Sequence, residues 1–116
     1  MPSPFKKERV NSLLEHEISK LVLREVFFPK EMLVTVTRVE VTDNLTEAKV
    51  FVSVYPAEKS DYAFKTLKRE TYNVQYLLNR TLRTHPIPKI RFIEDTAIQQ
   101  ADRVEELLHK LKTEEK

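Results

Sequence analysis

Glycine and cysteine are both absent from the 116 residues, and each absence removes whole classes of function. Without glycine, the phosphate-cradling loops of nucleotide-binding folds cannot form, because they need backbone with no Cβ to approach phosphate closely. Turn positions with positive φ then fall to asparagine or aspartate, which tolerate them best among the remaining residues. Without cysteine there is no disulfide framework, no thiol nucleophile and no thiolate metal site, a composition that suits a reducing cytoplasm. Long apolar runs are missing too. No segment approaches the roughly 18 consecutive apolar residues of a membrane span. The opening MPSPFKKERV leads straight into an amphipathic pattern rather than a signal peptide. The expectation is an unanchored cytoplasmic protein.

What is present reads as globular: 41% of residues are apolar and 33% charged. A chain of this length forms one domain around a single core, placed over residues 1–112, with a polar tail at 113–116. Residues 5–26 carry Val10, Leu13, Leu14, Ile18, Leu21, Val22 and Val26 at helical spacing. Pro29 ends that helix, and Phe27 and Phe28 are expected to plug the core. Residues 33–42 and 47–55 alternate with a period of two, and Asp43-Asn44-Leu45-Thr46 between them makes a glycine-free turn. They predict an antiparallel hairpin whose valine row, with Ala48, faces the helices.

A second helix is predicted over residues 60–83, capped by Ser60 or Asp61. Its apolar stripe lapses around Thr71-Tyr72-Asn73, where three modest helix formers sit together. That lapse predicts a kink at Glu70, Thr71, Tyr72 and Asn73 and two helical arms. Pro86 and Pro88 force an extended path into a third strand at 89–94. A last helix follows, capped by Thr96 with Gln99 or by Asp95, with Ile98, Ala101, Val104, Leu107, Leu108 and Leu111 on its buried side. The order is α-β-β-α(kinked)-β-α, an α+β domain with a three-stranded sheet and its helices packed on one face.

Catalytic chemistry finds no constellation. His16, His85 and His109 fall on different elements and none forms a paired-histidine helical motif. No serine has the context of a nucleophile elbow. The reading is a non-enzyme with no cofactor, no metal and no small-molecule substrate.

Charge is the informative signal. From Lys65 to Arg91 there are seven basic residues (Lys65, Lys68, Arg69, Arg80, Arg83, Lys89, Arg91) against one acid, Glu70. The segment nets +6 in a chain that nets +2, so the remainder nets −4. Asn73, Tyr76, Tyr72 and Asn79 are interleaved with these cations, side chains that stack on or hydrogen-bond to unpaired bases. His85 adds to the set when protonated, and Lys6, Lys7 and Arg9 are candidates to extend it. The pattern points to an anionic partner, most economically nucleic acid. A solvated helix face carries the same signature, as does an adaptor whose basic helix docks an acidic protein.

Three stretches in order resemble one known family. They are the Arg9-Val10 start of the first helix, the hairpin VTRVEVTDNLTEAKVFVSV at 36–54, and PKIRFIEDTAIQQADRVEELL at 88–108. Pro88, Phe92, Asp95, Arg103, Leu107 and Leu108 fit the last motif in register. The chain is similar, over about Phe5 to Leu111, to the bacterial ribosome-binding factor A family. The resemblance implies a type II KH-like domain in which a kinked helix pair replaces the usual Gly-x-x-Gly loop. The family's Ala-x-Gly kink aligns here with Glu70-Thr71-Tyr72. It also implies a non-enzymatic protein that binds the small (30S) ribosomal subunit at 16S rRNA, aids maturation of the 5′ end and matters for growth in the cold. A monomer is expected, since nothing in the sequence demands more.

Overall fold

The computed structural model describes residues 6–83 and 87–96. The predicted last helix with Gln99 of its cap, the polar tail, His85 and His109 lie outside the described residues. Within them the order is α1 (Lys6–Glu25), β1 (Leu33–Val41), β2 (Glu47–Tyr55), a 3-10 turn at Ala57–Lys59, α2 (Ser60–Thr81) and β3 (Lys89–Glu94). The three strands form one sheet in the order β1-β2-β3, with β1 and β2 antiparallel and β2 and β3 parallel. The α+β class, the sheet and the α-β-β-α-β order are those expected.

Both helices cover the same face of the sheet, α1 over β1 and α2 against β3 and α1. Leu14, Ile18, Leu21 and Val22 of α1 meet Ala63, Leu67, Val74 and Leu78 of α2 above the buried row Ala48, Val50, Val52 and Val54. The row on β1 changes phase halfway, from Val34 and Val36 to Val39 and Val41. A β-bulge between Val36 and Arg38 inserts Thr37 as one extra residue, so that all four valines pair with the β2 row on the helix side. The Thr37 hydroxyl donates to Asp95 Oδ2 at 2.6 Å and lies 3.2 Å from the Phe51 carbonyl. The bulge is thereby tied across β2 to the end of β3.

Four local expectations are corrected. First, α2 is one uninterrupted α-helix from Ser60 to Thr81, so the break into two arms at Glu70, Thr71, Tyr72 and Asn73 does not occur. The apolar lapse is not a structural one, because Thr71 occupies the missing turn of the stripe. Its hydroxyl donates to the Leu67 carbonyl at 2.7 Å, as Thr66 does to Tyr62 and Thr81 to Leu77. Each hydroxyl is satisfied on the i−4 carbonyl of its own helix and needs no partner outside it.

Second, no side chain caps α2. The chain enters through the 3-10 turn, and the Ser60 N–H bonds to the Ala57 carbonyl. Third, Phe27 does not plug the core: it is 85% exposed, whereas Phe28 packs against the core. Val26 already completes the buried stripe of α1, which turns the next side chain outward.

Fourth, the positive-φ residue of the hairpin turn is Leu45, at φ 59°, not Asn44 or Asp43. The left-handed conformation costs a β-carbon-bearing residue about 1–2 kcal/mol. Two features hold it. Leu45 packs against the core, and Asn44 Oδ1 accepts from the Thr42 hydroxyl at 2.7 Å and the Thr46 hydroxyl at 2.7 Å.

Candidate nucleic-acid interface

Helix α2 runs beside β3, which is an edge strand with no neighbour beyond it among the described residues. Residues 64, 68, 71 and 75 recur at three- and four-residue steps, which places them on the side of α2 that faces this edge. The resulting concavity, about 510 Å³, is lined by Phe64, Lys68, Thr71, Ile90, Arg91 and Phe92. Its floor is apolar, and Lys68 and Arg91 stand exposed at its rim.

The width of this groove is set by Gln75. Its carboxamide nitrogen donates to the Pro88 carbonyl at 3.2 Å, and its oxygen accepts the Ile90 N–H at 2.8 Å. Lys89 and Asp95 send their N–H groups toward β2, to the Thr46 and Val52 carbonyls. Strand alternation therefore turns the Ile90 C=O and the Phe92 N–H the other way, toward the groove. The groove thus combines a flat apolar floor, backbone polar groups on one wall and two cations. These are the elements that hold an unpaired base and its phosphate.

Around the helix from Lys68, the exposed arc of α2 carries two adjacent stripes. Lys65, Lys68, Tyr72 and Asn79 border the β3 side. Arg69, Asn73, Tyr76 and Arg80 lie further from it, and Arg83 follows past the helix end, after the extended Leu82, where it is exposed. Tyr72 is 85% exposed, and the Arg80 guanidinium lies 5.8 Å from the Tyr76 ring centroid. Among the described residues Lys65, Lys68, Arg80, Arg83, Lys89 and Arg91 take part in no ion pair, while Arg69 sits 3.8 Å from Glu70.

The candidates at the N-terminus of α1 lie elsewhere. Lys7 reaches the β1–β2 turn, where its Nζ is 3.0 Å from Asp43 Oδ1. That hydrogen bond, and then the charge of Asp43, holds the lysine above its ordinary value. It stays protonated through the physiological range. Lys6 and Arg9 are exposed on the same helix.

Sequence reasoning singled out the cations of the groove but missed Phe64, Gln75, Ile90 and Phe92. The 64-68-71-75 spacing was a usable signal. The contribution of β3 was not, because only the tertiary fold sets that strand beside α2. Among the described residues no cluster of histidine, aspartate or glutamate can hold a metal ion, and no helix is long and apolar enough to cross a membrane.

Comparison with known proteins agrees with this fold. The family model described as Ribosome-binding factor A matches residues 6–108. A ribosome-binding factor A of Halothermothrix orenii is 39% identical over 108 residues, covering 92% of this chain and 88% of that protein. The crystal structure of ribosome-binding factor A from Thermus thermophilus superposes with a TM-score of 0.65 at 20% identity, covering 78% of this chain and 97% of that one. A Thermus thermophilus ribosome binding factor A fitted into a cryo-EM map of a 30S–RbfA complex gives a TM-score of 0.65 at 19% identity, over 79% and 97% of the two chains. At that identity the two Thermus structures share the fold. The match over residues 6–108 and the Halothermothrix relative together show that this chain belongs to the ribosome-binding factor A family.

Proposed function

We propose that the chain is an assembly factor of the small ribosomal subunit, a non-catalytic protein that binds 16S rRNA late in maturation and supports processing of its 5′ end. The α2–β3 groove carries this reading, with its apolar floor, its strand-edge polar groups and its rim of Lys68 and Arg91, which take part in no ion pair among the described residues. Phosphate contacts from Lys65, Lys68, Arg69, Arg80, Arg83, Lys89 and Arg91 position the RNA. Tyr72, Asn73, Tyr76 and Asn79 address unpaired bases. The 30S complex of the Thermus protein supports the same class of partner for this chain. A monomeric, cytoplasmic working form accords with the composition of the sequence, and a role in growth in the cold with what the family resemblance implies.

Sedimentation of a cell lysate tests the reading. The protein is expected with free small subunits and not with translating ribosomes, and nuclease treatment should release it. Association that survives nuclease would assign the basic helix to an acidic protein partner instead. If about five phosphates are neutralised, log affinity falls with log salt at a slope of roughly −3 to −4.

A further inference from the structure

We propose that the RNA path does not end in the α2–β3 groove but crosses the edge of β3 onto the outer face of the sheet. There Lys49, Lys89 and Arg91 hold backbone phosphate. The proposal deepens the reading of the groove as an RNA site and rests on it. Lys49 is the new element, since nothing in the sequence connects it with the basic segment at 65–91.

The first observation is the parallel register of β2 and β3, which sets Lys49 directly beside Arg91 and Glu47 beside Lys89. Ala48, Val50 and Ile90 are buried under the helices, so the alternating Lys49 and Arg91 stand on the opposite face, exposed. Like charges placed side by side on one face of a sheet destabilise it. Neither cation takes part in an ion pair among the described residues, and Glu47 and Lys89 take part in none either. On its other side Lys49 faces Glu40 of β1, which is turned to Arg38 at 3.1 Å, so a phosphate between Lys49 and Arg91 would meet a charge that Glu40 offsets only in part.

The second observation is continuity. Lys49, Lys89 and Arg91 line a concavity of about 260 Å³ at the start of β2 and β3, in which Glu47 is the one carboxylate. Ile90 and Arg91 line both this concavity and the α2–β3 groove, so the two meet across the edge strand. On its other side Lys49 borders a third concavity, which it shares with Lys7. There Glu8, Glu40 and Asp43 outnumber the two cations, and Lys7 is bonded to Asp43. The basic track therefore runs Lys68, Arg91, Lys89, Lys49 and stops. Its sign and its continuity with a base-sized groove select an RNA strand as the occupant.

The test is binding of the full chain to purified small subunits over a potassium chloride titration, with thermal melts of the same proteins. Lys49→Gln should bind about 1.5–5-fold more weakly and shallow the salt slope by about 0.7. Because Glu40 faces Lys49 from β1 and Arg91 faces it from β3, loss of the charge should leave the melting temperature within about 2 °C of wild type. Glu47→Gln should bind more tightly, and Lys30→Gln, which removes the same charge from an exposed loop, should behave as wild type. Weaker binding with a shallower slope and an unchanged melting temperature supports the proposal, because a merely structural lysine would lose stability as well. If wild type binds and Lys49→Gln matches it in affinity and slope, the outer-face site is overturned while the groove reading stands. Weaker binding with a lower melting temperature overturns it as well. If wild type does not bind small subunits, both readings fall.

Discussion

Gln75 does for the edge of β3 what a neighbouring strand would do. One carboxamide satisfies the Pro88 carbonyl and the Ile90 N–H, and its nitrogen also donates to Asn79 Oδ1 at 3.0 Å. Pro88 and Ile90 are buried, so truncating the clamp leaves two backbone groups without partners in a place water reaches poorly. Gln75→Ala should cost about 1–3 kcal/mol in urea denaturation, with faster hydrogen exchange at the Ile90 amide. Gln75→Glu keeps the acceptor for Ile90 but sets a carboxylate oxygen against the Pro88 carbonyl and Asn79 Oδ1, so it should not restore the stability lost in alanine. An Ile90 amide that exchanges equally slowly in Gln75→Ala would show that the clamp does not hold the strand. The Thr37–Asp95 bond plays a related part at the other end of β3, where Asp95 is 8% exposed and Arg38 Nε approaches its Oδ2 at 4.0 Å.

At the scale of elements, α2 has two jobs on two faces. Ala63, Leu67, Val74 and Leu78 are fully buried, while Lys65, Lys68, Tyr72 and Tyr76 are exposed. The jobs should separate on substitution. Leu67→Ala leaves a cavity in the core and should cost about 2–5 kcal/mol, a large part of the stability of a domain this size. Tyr72→Ala should change stability by less than about 0.5 kcal/mol yet weaken RNA binding by about 1–3 kcal/mol if a base stacks there. Denaturation and subunit binding on the same two proteins check this. Equal binding by Tyr72→Ala would remove that residue from the interface.

The helix also shows where periodicity misleads. A threonine at the 71 position looks like a gap in an apolar stripe, but its hydroxyl closes on the helix backbone and the turn is filled. Both sheet edges are treated alike, with Asn11 Oδ1 accepting the Val41 N–H at 2.8 Å on β1 as Gln75 does on β3. Side-chain amides from the helices occupy edge groups that would otherwise pair with another chain.

For the whole molecule, the bounds of α1, the hairpin and β3 were legible because apolar spacing follows the period of each element. The phase change on β1 was written in the sequence as well, in Val34 and Val36 against Val39 and Val41, and it is the bulge at Thr37 that reconciles them. The positive-φ Leu45 and the exposed Phe27 were not legible. Each depends on what the rest of the fold leaves for that side chain to touch. For the site, charge located α2 and β3, but the groove and the outer-face cluster exist only because β3 returns parallel to β2 and lies beside α2. Register is a tertiary fact. It brings Lys49 to Arg91 across a separation of 42 positions and leaves Lys7 with Asp43.

If the cations flanking β3 carry the interaction with the small subunit, reversing their charge must release the protein without unfolding it. Co-sedimentation of purified small subunits with the double variant Lys68→Glu, Arg91→Glu puts this to the test. Both native side chains are exposed, and the carboxylate introduced at position 91 would face Lys49 across the sheet. The variant should therefore melt at or above the wild-type temperature. It should no longer travel with the subunit. A variant that melts as expected and still co-sediments as wild type does would place the interaction on another surface.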